Sequence, residues 1–248
     1  GEELDFPDAL LVPGFVDMHS HPAPAHWKYG VAADDEILPR GSTTILSQGD
    51  AGPANWDQYV AEIIEPSRTR ILMAISPALN GEAGAGPVFA ALEDVNVDEC
   101  VAAVERGGRY VWGIAVNISD AATGDNDPRE VMRRTLTIAE RTGRPLLYGA
   151  RRSDQEWSMS DQLDLLRPGD VVTYCFHEDG GLLDAGGRVA PEVLRAREKG
   201  VLFDVGHGMA SFDFSVAESA IANGFLPDTI STDVYKRHLG AVPTHDMP

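Results

Sequence analysis

Two histidines and an aspartate in one short stretch are the first residues in this sequence whose types and spacing point to chemistry. They sit in Pro13-Gly14-Phe15-Val16-Asp17-Met18-His19-Ser20-His21, after the apolar run Leu10-Leu11-Val12. In an extended strand, residues two apart point to the same side, so Asp17, His19 and His21 share one face. Two imidazoles at that spacing can chelate one divalent ion from a single element. The alternative is a pair of solvated histidines at a strand end. A bare H-x-H does not separate the two; the longer stretch, with its proline-glycine turn and hydrophobic lead-in, favours a metal.

Holding such a pair in place requires a rigid frame, and the chain reads as one. Eight short apolar runs, at 15–19, 43–47, 71–75, 110–116, 145–148, 171–176, 201–205 and 229–233, have the near-continuous apolar character of buried parallel strands. Segments with helical periodicity lie between them, among them 97–106, 128–142 and 190–199. Gly143, Gly200 and the pair Gly107-Gly108 stand where helices end, and Asp127-Pro128 reads as an N-cap followed by a first-turn proline. The glycine-rich stretch 80–87 reads as a loop. Eightfold strand–helix alternation predicts an α/β fold, a closed (β/α)8 TIM barrel, with an open doubly wound sheet as the alternative. In a barrel the C-terminal ends of the strands carry the site, and His19 and His21 lie at such an end. The tail after the eighth run is too short and too broken by proline for a good closing helix. The expectation is a single barrel domain over 1–248 that is incomplete at both ends.

Composition narrows the function. Of 248 residues, 39 are acidic and 20 are lysine or arginine, a formal charge of −19. Phosphate neutralisation needs clustered basic residues, so nucleic acid is not an expected partner. No apolar run approaches the roughly 20 residues of a membrane-spanning helix, and no membrane partner is expected. Cys100 and Cys175 form no C-x-x-C pair, which fits free thiols in a cytoplasmic protein. A small-molecule substrate is the expected partner, and a homo-oligomer is left open.

The first motif resembles the signature of the amidohydrolase superfamily. The rest of the chain is similar, in order, to its dihydroorotase-like amidohydrolase/deacetylase branch. The likeness rests on Ile64-Glu65-Pro66-Ser67-Arg68-Thr69-Arg70, on Leu166-Arg167-Pro168-Gly169-Asp170-Val171 and on Gly187-Arg188-Val189-Ala190-Pro191-Glu192. It extends through Phe203-Asp204-Val205-Gly206-His207-Gly208 to Gly224-Phe225-Leu226-Pro227-Asp228-Thr229-Ile230-Ser231-Thr232-Asp233. The resemblance implies a barrel accompanied by a small β-sandwich built from both chain ends, which is expected to fall outside this sequence. It also implies one or two ions held by the paired histidines, a strand-four lysine, histidines on strands five and six, and a strand-eight aspartate.

Of that ligand set, His19, His21 and Asp233 are present. Ala115 stands in Gly113-Ile114-Ala115-Val116 where the lysine belongs, Leu146-Leu147-Tyr148-Gly149 has no histidine, and Tyr174 replaces the strand-six histidine. Tyr235 likewise stands where a histidine follows the strand-eight aspartate. Without a bridging carboxylate, one divalent ion, zinc, on His19, His21 and Asp233 is the expected cofactor. Tyr174 and Tyr148 are expected near it in hydrogen-bonding roles. His207, between two glycines at a strand end, and His177, on the loop after the sixth run, are further substrate-contact candidates; His26, His238 and His245 read as surface residues. The resemblance implies a metal-dependent hydrolase of an amide, cyclic amide or acyl group, with Asp233 as catalytic acid–base. The alternatives are a non-catalytic barrel that has lost its ligands and a mononuclear metal-dependent lyase.

Overall fold

The computed structural model describes residues 10–24, 27–150 and 157–240. Seven parallel strands follow one another in sequence order: β1 Phe15–Ser20, β2 Ser42–Gln48, β3 Arg70–Ile75, β4 Val111–Asn117, β5 Leu146–Gly149, β6 Val171–Val172 and β7 Leu202–Phe203. The eighth expected strand forms no ladder. Residues 229–234 instead touch both edges through single parallel bridges, Asp204 with Thr229 and Ser20 with Val234. Backbone bonds from Val205 N to Thr229 O (3.1 Å), Asp233 N to His19 O (2.7 Å) and His21 N to Val234 O (3.0 Å) complete the circle. The fold is the expected (β/α)8 barrel. Sequential strand order excludes the open doubly wound sheet, whose order reverses at a switch point.

The first five expected strands match closely, whereas the sixth and seventh pair only near their starts. The backbone explains this. Tyr174 (φ 64°), Gly206 (φ 51°) and Asp233 (φ 50°) are left-handed, one just past each of the last three strand positions. A left-handed residue breaks the pleat and turns its side chain off the strand direction.

The helices are α1 Trp56–Tyr59, α2 Val97–Gly107, α3 Asp120–Thr123, α4 Pro128–Thr142, α5 Met159–Asp164, α6 Pro191–Lys199 and α7 Phe214–Ala222. Their ends follow the local signals. The Asp127 side chain accepts from Arg129 N with Pro128 in the first turn, and Gly143 closes α4 in the left-handed region. No described helix is long and apolar enough to cross a membrane.

Strand alternation sorts the interior into two layers. Leu46, Ala74, Ala115, Leu147 and Val171, one from each of β2 to β6, form a small apolar cluster of their own. Their neighbours Ile45, Met73, Ile75, Ile114, Val116, Leu146, Tyr148 and Val172 belong to the main core under the helices. The small cluster is therefore the inside of the barrel. Two residues further along, the same side carries Gln48, Ser76, Asn117, Gly149 and Thr173, so the lining turns polar at the C-terminal mouth. Cys100 and Cys175 are free and buried, and burial pushes the Cys100 thiol up to about 12.

Candidate metal centre

Two elements deliver the site, and one buried carboxylate ties them together. Asp17 on β1 accepts from Thr232 N (3.1 Å), Thr232 Oγ1 (2.5 Å) and its own neighbour His19 N (3.2 Å). Asp17 thus serves the backbone rather than an ion. Burial pushes its carboxyl up to about 7 against the pull of those hydrogen bonds. The stitch sets His19 and His21 against Asp233, and the Nε2 atoms of both rings lie 3.3 and 3.4 Å from Asp233 Oδ1. One ligand atom from each of the three lies within 4.8 Å of the others.

The far side of each ring fixes which nitrogen faces inward. His21 Nδ1 lies 2.7 Å from Asp50 Oδ1, an acceptor, so it carries a hydrogen. His19 Nδ1 lies 2.9 Å from Thr173 Oγ1, whose own hydrogen goes to Asp204 Oδ2 (3.0 Å), so this nitrogen too is the donor. Asp204 also accepts from Thr229 Oγ1 (2.7 Å) and Ser231 Oγ (2.5 Å). Such outer partners are the usual means of orienting metal-ligating histidines. With both Nδ1 atoms protonated, two Nε2 lone pairs and a carboxylate oxygen converge on one point. Ligands about 2.0–2.1 Å from a tetrahedral ion lie about 3.3–3.4 Å apart, which is the spacing of Asp233 Oδ1 from each Nε2. The three residues fit a cation.

The two rings differ electrostatically. Burial pushes His19 down to about 4, with Asp233 opposing. Burial also acts to lower His21, but the charges of Asp50 and Asp233 outweigh it and hold that imidazole well above its ordinary value. Without a cation, the two carboxylates thus favour a proton on the His21 ring.

A cavity of about 280 Å³ opens above the triad, lined by His21, Tyr29, Gln48, Glu82, Asn117, Tyr174, Asp233, Tyr235 and Arg237. Tyr29 and Tyr235 pack edge-on at 6.0 Å and face the His21 ring at 5.5 and 6.2 Å. Glu82 reaches in from the loop after β3, and burial pushes its carboxyl up to about 7. Glycine permits one close approach: a Cβ on Gly208 would stand 2.6 Å from Asp233 Oδ2.

Other expected residues fall in different places. Tyr174 lines the cavity, its Oη 3.2 Å from His19 Nε2. Tyr148 corrects the expectation: it belongs to the outer layer and donates to Gln162 Oε1 (2.7 Å), away from the mouth. His207 bonds through its backbone to Ser231 O (3.1 Å) and repels a charge on His19. His177 accepts from Asp179 N within its own loop (3.0 Å). His238 is buried, not on the surface, and its Nδ1 accepts from Tyr235 N (3.0 Å); His26 and His245 lie outside the described residues. Asp50, Thr173, Asp204 and Glu82 were not expected at the site. For Asp50 the available signal was its place just past the second strand.

Known proteins resemble the chain in sequence and in fold. Deacetylases of Agrobacterium fabrum and Brucella anthropi are each 32% identical to this chain, over 94% of it and 58% of their own length. A deacetylase of Enterococcus faecalis is 28% identical, over 97% and 65%. The chain thus spans less than two thirds of the length of these relatives. A solved adenine deaminase superposes with a TM-score of 0.84 at 28% identity, over 94% of this chain and 63% of that one. A dihydroorotase does so with a TM-score of 0.78 at 30% identity, over 90% and 58%. No family model matches the chain.

Proposed function

The chain belongs to the amidohydrolase superfamily, and we propose that it is the catalytic barrel of a metal-dependent hydrolase removing an acyl group from a small amide or opening a cyclic one. The observation that carries this reading is the convergence of two Nε2 lone pairs and the Asp233 carboxylate beneath a cavity of small-molecule size. His19, His21 and Asp233 would hold one divalent ion; two imidazoles and a carboxylate suit zinc. When bound, such an ion makes water acidic enough to attack near neutral pH. Asp233 holds the proton shed by the attacking water and returns it to the leaving nitrogen as the C–N bond breaks. Asp50 and the Asp204–Thr173 pair keep the two rings turned with Nε2 inward. The names of the relatives favour acyl removal, and the free buried thiols fit a cytoplasmic setting.

A second reading has an observation in its favour. Ala115 lies in the apolar inner layer with Leu46, Ala74, Leu147 and Val171 and offers no ligand, which also suits a barrel kept for binding alone. One experiment separates the two. Metal content, melting temperature and turnover on a panel of N-acyl and cyclic amides are measured for the parent, His19→Ala, His21→Ala and Asp233→Asn. The hydrolase reading expects one ion per parent chain and loss of the ion in both histidine variants. It expects Asp233→Asn to stay folded while its turnover falls by about two to four powers of ten. Unchanged metal content in both histidine variants would sink it.

A further inference from the structure

We propose that Tyr174 is the group that polarises the scissile carbonyl, donating a hydrogen bond from its hydroxyl to the oxygen that becomes negative as water adds. The proposal rests on the metallohydrolase reading above. Among the described residues, only Tyr174 and Asp233 outside the glycines have a positive φ, and both meet at His19 Nε2. Conformations of this kind cost free energy and persist where the surroundings enforce them. Here the enforcement is visible. A Cβ on Gly206 would stand 2.4 Å from Thr173 Oγ1 and 3.1 Å from Tyr174 Cδ1, so that glycine leaves the space the tyrosine backbone and ring occupy. The ring then packs 5.0 Å from the His19 ring, tilted by 53°.

The hydroxyl lies 3.2 Å from His19 Nε2, the same nitrogen whose lone pair a cation would take. A lone pair cannot accept a hydrogen and coordinate an ion at once. Loading the site therefore turns this hydrogen away from His19, while the packed ring keeps the oxygen beside the triad. The cavity that Tyr174 lines with His21 and Asp233 is where a substrate carbonyl must enter. An oxygen arriving there meets a donor already in position, and that hydrogen bond strengthens as the oxygen gains charge. Tyr174 keeps its proton throughout: the water proton goes to Asp233 and on to the leaving nitrogen.

The test uses Tyr174→Phe, with Tyr174→Asn beside it because asparagine tolerates a left-handed backbone. Metal-free protein is titrated with zinc against a chromophoric chelator. The zinc-loaded protein is then titrated with methylphosphonate, a tetrahedral oxyanion, by calorimetry, and turnover is followed on the N-acyl panel. Zinc affinity is expected to hold or rise, since a competitor for the His19 lone pair is gone. Methylphosphonate affinity should fall at least about tenfold. On substrates, kcat should drop by about 10²–10³ with KM nearly constant, as for loss of one oxyanion donor. A zinc affinity reduced more than about tenfold in both variants would make Tyr174 a ligand and overturn the proposal. Methylphosphonate binding equal to that of the parent, or absent from the zinc-loaded parent, overturns it as well. A parent chain that binds no zinc fails the metallohydrolase reading itself, a result distinct from the others.

Discussion

His21 is where metal and proton compete most directly. Its imidazole is held well above the ordinary value by Asp50 and Asp233 despite burial, so in the metal-free protein it is charged at neutral pH. An ion can bind only by displacing that proton, because a ligating histidine must be neutral. The sign follows. Below the raised value, metal affinity climbs about tenfold per pH unit, and the climb flattens once the pH passes it. His19, pushed down to about 4 by burial, is already neutral and adds no pH dependence in that window. Zinc titrations between about pH 6 and about pH 8, with proton release followed by an indicator, should show one proton freed per ion. A flat affinity over that range would show that His21 is not held charged there.

At the scale of the element, the end of the barrel remote from the site is held by aspartates that the strands share. Asp170, at the entry to β6, accepts from Leu146 N (2.8 Å), Arg167 N (2.7 Å) and the Arg167 guanidinium (2.9 and 3.2 Å), and so clamps β5 to β6. Asp228 repeats the device at β7 by accepting from Phe203 N and Arg197. Asp34 does so before β3 by accepting from Arg68 N and Thr69 N. With β6 and β7 so short, Asp170 and Asp228 stand in for ladder bonds that those strands do not make. Asp170→Ala leaves a buried N–H and a half-buried guanidinium without their carboxylate. It is expected to cost about 3 kcal/mol and to lower Tm by roughly 6–12 °C at this chain length. Zinc binding at the opposite mouth should persist at temperatures where the variant stays folded. A Tm within about 2 °C of the parent, well short of the expected shift, would show that the clamp adds little.

For the molecule as a whole, closure of the barrel and assembly of the site are one event. Residues 229–234 join β1 through few contacts, chiefly Asp17 with Thr232, His19 O with Asp233 N and Val234 O with His21 N. Those contacts lie within a residue or two of all three candidate ligands. Thr232→Val removes one hydroxyl from a buried carboxylate and should cost about 1–3 kcal/mol in stability. It should weaken zinc binding as well, because Asp233 loses the neighbour that anchors its strand. Parallel denaturant and zinc titrations would measure both. Lost stability with unchanged zinc affinity would show that the two are independent.

Local chemistry made much of this legible in the amino-acid order. Period-two alternation, turn glycines and the Asp127-Pro128 start depend on near neighbours, so the strands of the first half and the main helices were readable. His19 and His21 were readable because one strand carries both. Asp233 came from resemblance, and its distance from them along the chain shows why periodicity alone could not supply it. Tertiary structure alone decided the rest. Which nitrogen of His19 faces inward depends on Thr173, 154 residues away. Tyr148 and Tyr174 read alike as strand tyrosines, yet the pleat turns one under the helices and a left-handed backbone turns the other into the mouth. Barrel closure brings residues distant in sequence into contact, and that contact fixes the protonation, orientation and burial on which the chemistry depends.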